Sequence, residues 1–502
     1  MEMIRSAVAL AVAVGLAGGL CGCHAYDCRQ VLQCAEEPEM PEPTCDPAVG
    51  GACAGVFVSS TLGDDTNQGT RDRPVRTMTQ AITLAQSGAR RVYACAERFE
   101  ESVSIPEGVE VWGGLNCGAS WSYVGATMRT TIAPEPGAIP LRFVGGASGG
   151  RPAIVADVHA EAADAIEPSG SSIAALVGAG VAVEMQRCEF VAGDGADGTS
   201  GAAESAQRAA DGEDGSPGAT ACTASTVQGG EGARSSCRDG DAVGGRGGDG
   251  SPGEGSAGTT GTPEPYPNSA GDGLGGQGQM GAALCAAGRD GADGAYGEQG
   301  TGATGPGRIT EQGWEGEPGR DGGDGRRGQG AGGGGGSRGS APFCAASLGG
   351  ASGGGGGAAG CGGAGGKGGG YGGASIGVLT LSSEVTIRAT SIKTGRGGDG
   401  GNGGLGQAGG FGGLGGFPGL GVNNSPAGCA GGAGGFGGNG GNGGGGLGGP
   451  SIGILHPFGL PPLQDAVIQT EAVGKGGLGA DPSVPGSSGE DGLRGDVMGF
   501  PP

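Results

Sequence analysis

Aromatic residues are scarce in this chain: Phe, Trp and Tyr make up 4% of 502 residues, and there are three histidines. So few large apolar side chains cannot fill an ordinary core along the whole length. So few imidazoles leave little for general acid–base or nucleophilic catalysis. Positive charge is thin as well. With 28 Lys and Arg against 51 Asp and Glu, the net charge is −23, which disfavours nucleic acid as a partner. No C-x-x-C pair occurs after Cys23, so zinc lacks its usual framework, and neither a metal nor a cofactor is expected. Long apolar runs are also missing, apart from the 14 residues Ala7 to Leu20 behind Arg5, too short to span a bilayer comfortably.

That one run reads as a secretory signal. It ends in Leu20-Cys21-Gly22-Cys23, which resembles a bacterial lipobox with Cys23 as the lipidated residue and with Cys21 departing from the usual small residue. The resemblance implies an exported chain held by N-terminal lipid at the outer membrane or cell surface, with the membrane as its first partner. Of 15 cysteines, removing Cys21 with the signal and Cys23 to lipid leaves 15 − 2 = 13. Disulfides are the expected state of an exported chain, and an odd number leaves at least one thiol outside them. Cys28, Cys34, Cys45 and Cys53 suit a stapled stalk.

From Gly55 the texture changes. Val56-Phe57-Val58 is a short strand, and Gly63 to Thr70 a polar loop. Met78, Ala81, Ile82 and Ala85 share one face of a helix that Gly88 can end. Short alternating runs follow at Val92, Val103 and Val109. This string, through Pro74-Val75-Arg76-Thr77, Val92-Tyr93-Ala94 and Trp112-Gly113-Gly114, resembles the N-terminal end of pectin-lyase-like right-handed parallel β-helix proteins. In particular it is similar to bacterial surface proteins carrying the domain of unknown function 1565. The resemblance implies an all-β solenoid closed at one end by the first strand and helix. Independently, Cys95 and Cys117 are 22 residues apart, about one coil. Residues one coil apart stack at about 4.8 Å, within disulfide reach. Trp112, Trp121 and Tyr123 cluster nearby, either as a sugar-binding strip or as local core.

One irregular repeat recurs. Ser172-Ile173-Ala174-Ala175-Leu176, Ser375-Ile376-Gly377-Val378-Leu379 and Ser451-Ile452-Gly453-Ile454-Leu455 each lead through one more alternating strand to a G-x-G exit. Each resembles one coil, and the residues between are glycine-rich insertions. Loop closure costs only about 0.6 kcal/mol per doubling of length, so stacked coils tolerate them. The organisation expected is a signal peptide at 1–22, a cysteine-rich tether at 23–54 and an N-terminal β-helix part at 55–194. A glycine insertion at 195–374, a coil at 375–396, a second insertion at 397–450 and a terminal coil and tail at 451–502 follow.

Glycine supplies 131 residues in two textures, the whole resembling PGRS repeats. Gly288 to Gly300 and Gly313 to Gly328 keep a collagen-like period of three, in runs short and poor in proline for a triple helix. Gly395 to Gly449 is G-G-x-G-G-x, which suits either a disordered linker or packed polyproline-II helices resembling those of some antifreeze and phage-adhesin proteins. Gly244 to Asp249 matches the start of a calcium nonapeptide without its apolar eighth residue. G-x-S-x-G occurs at Ser148, Ser337 and Ser352 without the strand–turn–helix context of a nucleophile elbow. Asp157, Glu161 and Asp164 are candidate carboxylates, but most acids stand in D-G pairs, first of all turn formers. The expectation is a non-catalytic structural or adhesive surface lipoprotein, contacting surface polysaccharide or other envelope proteins. A polysaccharide-binding or polysaccharide-degrading β-helix, and an ice- or mineral-binding glycine bundle, stand behind it.

Overall fold

The computed structural model describes residues 45–500 except 52, 147–150, 265–269, 383, 458 and 460. It divides into two units, Met1–Cys53 and Ala54–Pro502. The described end of the first is one 3-10 turn, Pro47–Val49, capped by Asp46 and closed by a Cys45–Cys53 disulfide. The expected signal peptide, Cys23, Cys28 and Cys34 lie outside the described residues.

In the second unit nearly every regular element is a strand, and most strands form three parallel sheets. Ser122–Tyr123 joins the first antiparallel, and Arg234–Cys237 with Gly240–Val243 and Arg308–Thr310 with Gly313–Glu315 form two antiparallel hairpins. The first sheet stacks Val56–Val58, Arg91–Cys95, Glu110–Asn116, Ala153–Ala156, Val183–Gln186, Val385–Arg388 and Leu463–Gln464. The second stacks Arg98–Phe99, Thr130–Ile132, Val158–Ala162, Glu189–Ala192, Ser391–Lys393 and Val467–Gln469. The third stacks Val103–Pro106, Leu141–Val144, Ser172–Val177, Ser375–Thr380, Ser451–His456 and Arg494–Gly499. The chain visits first, second and third sheet in that order, six times over. Apart from a shift between Tyr93 and Cys95, register is kept from coil to coil: Val111, Val155, Met185 and Ile387 stack in the first sheet, and Ile132, Ala160, Phe190 and Ile392 in the second. With Phe143, Val378 and Ile454 of the third, these side chains form one buried core between the sheets.

The helix Met78–Ser87 covers the start of this core with Met78, Ala81, Ile82 and Ala85, as its spacing predicts, and ends at Gly88. Thr77 caps it, and the Glu101 carboxylate accepts the backbone N–H groups of Met78 and Thr79.

The S-I-x-x-L repeats pair in register: Ser172, Ser375 and Ser451, then Ile173, Ile376 and Ile452. Their Ile and Leu face away from the inter-sheet core and pack on Trp314 and Leu447. Strands buried on both faces read as apolar runs rather than alternations. The third position must be small. A Cβ on Gly377 would collide with the Ile392 side chain, and one on Gly453 with Ile468. The expected single strand after each repeat is two strands. A corner separates them, with Arg187 and Ala389 at φ 50° and 47°, as Asp157 and Asp465 do in neighbouring turns at 56° and 53°. None of these is glycine, so the corner carried no sequence mark.

Every glycine insertion leaves from one place, between a second-sheet strand and the next third-sheet strand. The insertions form no linker. Extended runs lie side by side and hydrogen-bond every third residue. Gly198, Gly201, Gly212 and Gly215 donate to Asp399, Asn402, Phe411 and Leu414 of a parallel run. The run at 349–373 is central. Gly357, Gly360, Gly363 and Gly366 donate to Gly432, Gly435, Gly438 and Gly441, and their carbonyls accept from Ala331, Gly328, Gly325 and Gly322. One residue further on, Gly355, Ala358 and Cys361 donate to Ser216, Glu213 and Ala210 and accept from Gly416, Gly413 and Gly410. Two positions in three thus serve four neighbours. The remaining one meets two more at Gly353 and Gly356, which donate to Gly248 and Gly245 and accept from Gly230 and Ala233. Three disulfides, Cys222–Cys344, Cys237–Cys361 and Cys285–Cys429, cross between runs.

The two glycine textures are therefore two degrees of enclosure. Runs of G-x-x have one face covered, runs of G-G-x have two, and the central run is almost all Gly and Ala. Two D-G pairs are turns, Asp239-Gly240 in a hairpin and Asp272-Gly273, but along the glycine runs the pairs do other work. Asp211 and Asp214 accept the backbone N–H groups of Phe411 and Leu414, Asp290 and Asp293 those of Ala433 and Phe436, and Asp321 and Asp324 those of Gly368 and Gly365. Each carboxylate completes a bond that no backbone carbonyl reaches.

Candidate binding surface

Cys95 and Cys117 form a disulfide with Cα atoms 5.7 Å apart, joining the strand Arg91–Cys95 to the 3-10 turn Cys117–Ala119 that follows the adjacent strand Glu110–Asn116. Beside it, Trp112, Trp121 and Tyr123 join Phe57, Tyr93 and Leu115 in an apolar cluster on that sheet's outer face. Their polar ends are engaged. The Trp112 indole donates to Glu110 at 3.0 Å, the Trp121 indole to the Arg71 carbonyl at 3.2 Å, and the Tyr123 hydroxyl to Asp157 at 2.8 Å. Trp121 meets Phe57 edge-on at 4.8 Å. Burial and the bond to Asp157 push the Tyr123 phenol above its usual range. A strip that stacks on sugar needs bare ring faces, and here the rings cover one another.

The three candidate carboxylates do not converge. Asp157 is buried and paired with Arg187 at 2.8 Å. Glu161 pairs with Arg98 at 2.9 Å on the outer face of the second sheet, and Asp164 accepts the Asp194 backbone N–H. Near Glu161, Glu189 is flanked by His159 at 3.3 Å, Lys393 at 2.9 Å and Arg129 at 3.5 Å. Burial would raise the Glu189 carboxyl, but these neighbours, Lys393 foremost, hold it below the usual carboxylate range. Ser337 donates to the carbonyls of Ala351 and Pro426, and the Ser352 hydroxyl accepts the Ala219 N–H, so both hydroxyls tie runs together. Asp249 pairs with Arg246 and accepts the Gly229 N–H. Among the described residues, no group of three or more His, Cys, Asp or Glu could hold a metal ion.

The exposed side chains of the bundle make a different surface. On the run at 396–420 every third residue points to solvent, and Leu405, Phe411, Leu414, Phe417 and Leu420 are among them. The next run, at 428–449, presents Phe436, Asn439 and Asn442, and the one beyond, at 286–303, presents Asp293, Tyr296 and Gln299. Between these runs lie two adjoining hollows of about 340 and 330 Å³ that share Tyr296 and Asn439 as lining. Tyr296 is 76% exposed, Phe436 packs edge-on against Phe411 at 5.7 Å, and the Arg208 guanidinium lies over the Phe411 ring at 3.8 Å.

These residues were missed because they stand one at a time in glycine repeats. The only signal was that x in G-G-x must face outward, and which x meets which depends on pairing across more than a hundred residues. No family model, curated protein or solved structure matches this chain.

Proposed function

We propose that the chain is an exported, non-catalytic structural or adhesive surface protein, tethered by lipid on Cys23, that holds a glycine bundle out for contact. In this reading the three sheets are the faces of a right-handed parallel β-helix of the pectin-lyase-like kind. The glycine runs are polyproline-II helices, whose three residues per turn suit hydrogen bonding on three sides. The observation that carries the proposal is the division of labour within a triplet. Covered positions are mostly Gly or Ala and serve packing; the open position varies freely among Asp, Asn, Leu, Phe and Tyr. That is the pattern of a platform whose sequence is free on one face. Intact-mass analysis of the native, unreduced protein tests the tether: the N-terminus should be an acylated Cys23, and Cys23→Ala should release the chain from membranes. An unmodified N-terminus elsewhere would remove the anchor.

Polysaccharide binding is the second reading, favoured by the hollows beside Tyr296. A catalytic version would need carboxylates facing one another, whereas Asp157, Glu161 and Asp164 have separate structural partners. Ice binding would require a flat, regular face. The open row Leu405, Phe411, Leu414, Phe417 is bulky and apolar, and a thermal-hysteresis measurement is expected to show none.

A further inference from the structure

We propose that the groove between the runs at 286–303, 396–420 and 428–449 binds a neutral, hydroxyl-rich polysaccharide, with Tyr296 as stacking platform and Asn439, Asn442 and Gln299 as donors. The argument rests on how the three amides are held. The Asn439 side-chain oxygen accepts the Gly409 N–H at 2.9 Å, and that of Asn442 accepts the Gly406 N–H at 3.0 Å. The Gln299 oxygen accepts the Asn442 backbone N–H at 3.0 Å. An amide whose oxygen is committed to a backbone donor has no choice of flip, so the position of its NH2 is determined. Among the described residues none of the three NH2 groups has a partner. Three fixed donors thus line one groove about 340 Å³ in volume, each with two hydrogens to give.

The bundle explains why they are there. Nearer the sheets, Gly397, Gly400 and Gly403 donate to Ala472, Lys475 and Leu478 of a covering run. That run does not continue over Gly406 and Gly409, so Asn442 and Asn439 take the two N–H groups it leaves behind. The groove is the open continuation of a packing site, and its floor already has the geometry of a surface made to be covered.

What covers it follows from the lining. A peptide strand would need the Gly406 and Gly409 donors that the asparagines have taken. A nucleic acid or acidic glycan would approach a chain of net charge −23 beside Asp293, whose carboxylate is held by the Phe436 N–H at 2.8 Å. A neutral glycan has acceptor oxygens for the amides and flat C–H faces for an exposed ring, the usual combination of aromatic lining with a few placed polar groups. The proposal rests on the surface reading above and gives that surface a ligand class.

The test is affinity electrophoresis of the full chain in gels holding dextran, mannan, xylan or a β-1,3-glucan, with alginate as the anionic arm. At least one neutral gel should retard the protein while alginate does not. Asn439→Asp keeps the oxygen for Gly409 and replaces the outward NH2 by an oxygen; it should weaken retardation at least tenfold, as should Tyr296→Ala, with unchanged thermal unfolding. Tyr296→Phe should retain most of the binding. Retardation by none of the four neutral gels, retardation indifferent to both variants, or retardation by alginate alone would overturn the proposal. Failure of the surface reading is a separate event: a chain without lipid on Cys23 that still binds glycan through Asn439 breaks that reading and leaves the groove.

Discussion

A single hydrogen atom decides most positions in the bundle. At Gly360 a Cβ would be driven into the Gly410 carbonyl oxygen, and at Gly357 into that of Gly413. Gly360→Ala is therefore expected to cost roughly 1–3 kcal/mol through overpacking. Gly253→Ala, where an added Cβ meets nothing within 4 Å, should stay within about 0.5 kcal/mol. Chemical denaturation of the two variants makes the comparison. At Asp211 the carboxylate bond to the Phe411 N–H is exposed. Asp211→Ala should cost about 0.5–1.5 kcal/mol, and Asp211→Asn, which keeps an acceptor, close to nothing. Cys188 is the one free thiol among the described residues; burial pushes it up to about 12. Native protein should resist alkylation at pH 8 and react once unfolded. Because the thiol is raised, its contribution to stability is whole below the unfolded value of about 8.5 and fades as pH climbs toward 12.

At the scale of elements, the S-I-x-x-L strands join two cores. Ile376 is fully buried and stacks between Ile173 and Ile452, so Ile376→Ala is expected to cost about 2–5 kcal/mol and to loosen the bundle from the third sheet. The serines anchor the point where each run departs. The Ser375 hydroxyl donates to the Gly193 carbonyl and accepts the Gly395 N–H, linking the exits of two insertions 202 residues apart. Carboxylate ladders add a pH dependence. The bond from the Gly368 N–H, with Lys367 beside it, holds Asp321 below the usual carboxylate range. A depressed group contributes above its unfolded value of about 3.9 and loses that contribution as pH falls through its folded value. Acid titration followed by circular dichroism should therefore show the bundle weakening below about pH 4. Asp321→Asn would flatten part of that slope.

The whole molecule is expected to protect what its composition suggests should be loose. Hydrogen exchange of the native protein should find slow amides through 349–373, with the fastest exchange at outer triplet positions whose N–H meets only a side chain, such as Phe411 and Leu414. Uniformly fast exchange there would contradict the bundle. Much of the fold was legible along the chain. The helix face Met78, Ala81, Ile82 and Ala85, the Cys95–Cys117 spacing and the S-I-x-x-L repeats each arise from a local period that strands and helices impose on side chains. The corner at Arg187 was not, because a left-handed residue there needs no glycine. Tyr296, Asn439 and Asn442 were not, because their neighbours come from runs 143 residues apart in sequence, as the pairing of Gln299 with Asn442 shows.

By itself the amino-acid sequence determined that the glycine segments keep a period of three, that many acids stand beside glycine in D-G pairs, and that three similar S-I-x-x-L strands recur. Those are consequences of side-chain size and period, which a linear pattern carries. Only the tertiary structure decided that the glycine segments pack as one bundle, that many D-G pairs bridge runs instead of turning the chain, and which open side chains share a groove. A backbone without side chains records in its sequence that something lies close, but not what. The identity of the neighbour is set by hydrogen bonds between main-chain groups that every residue possesses alike.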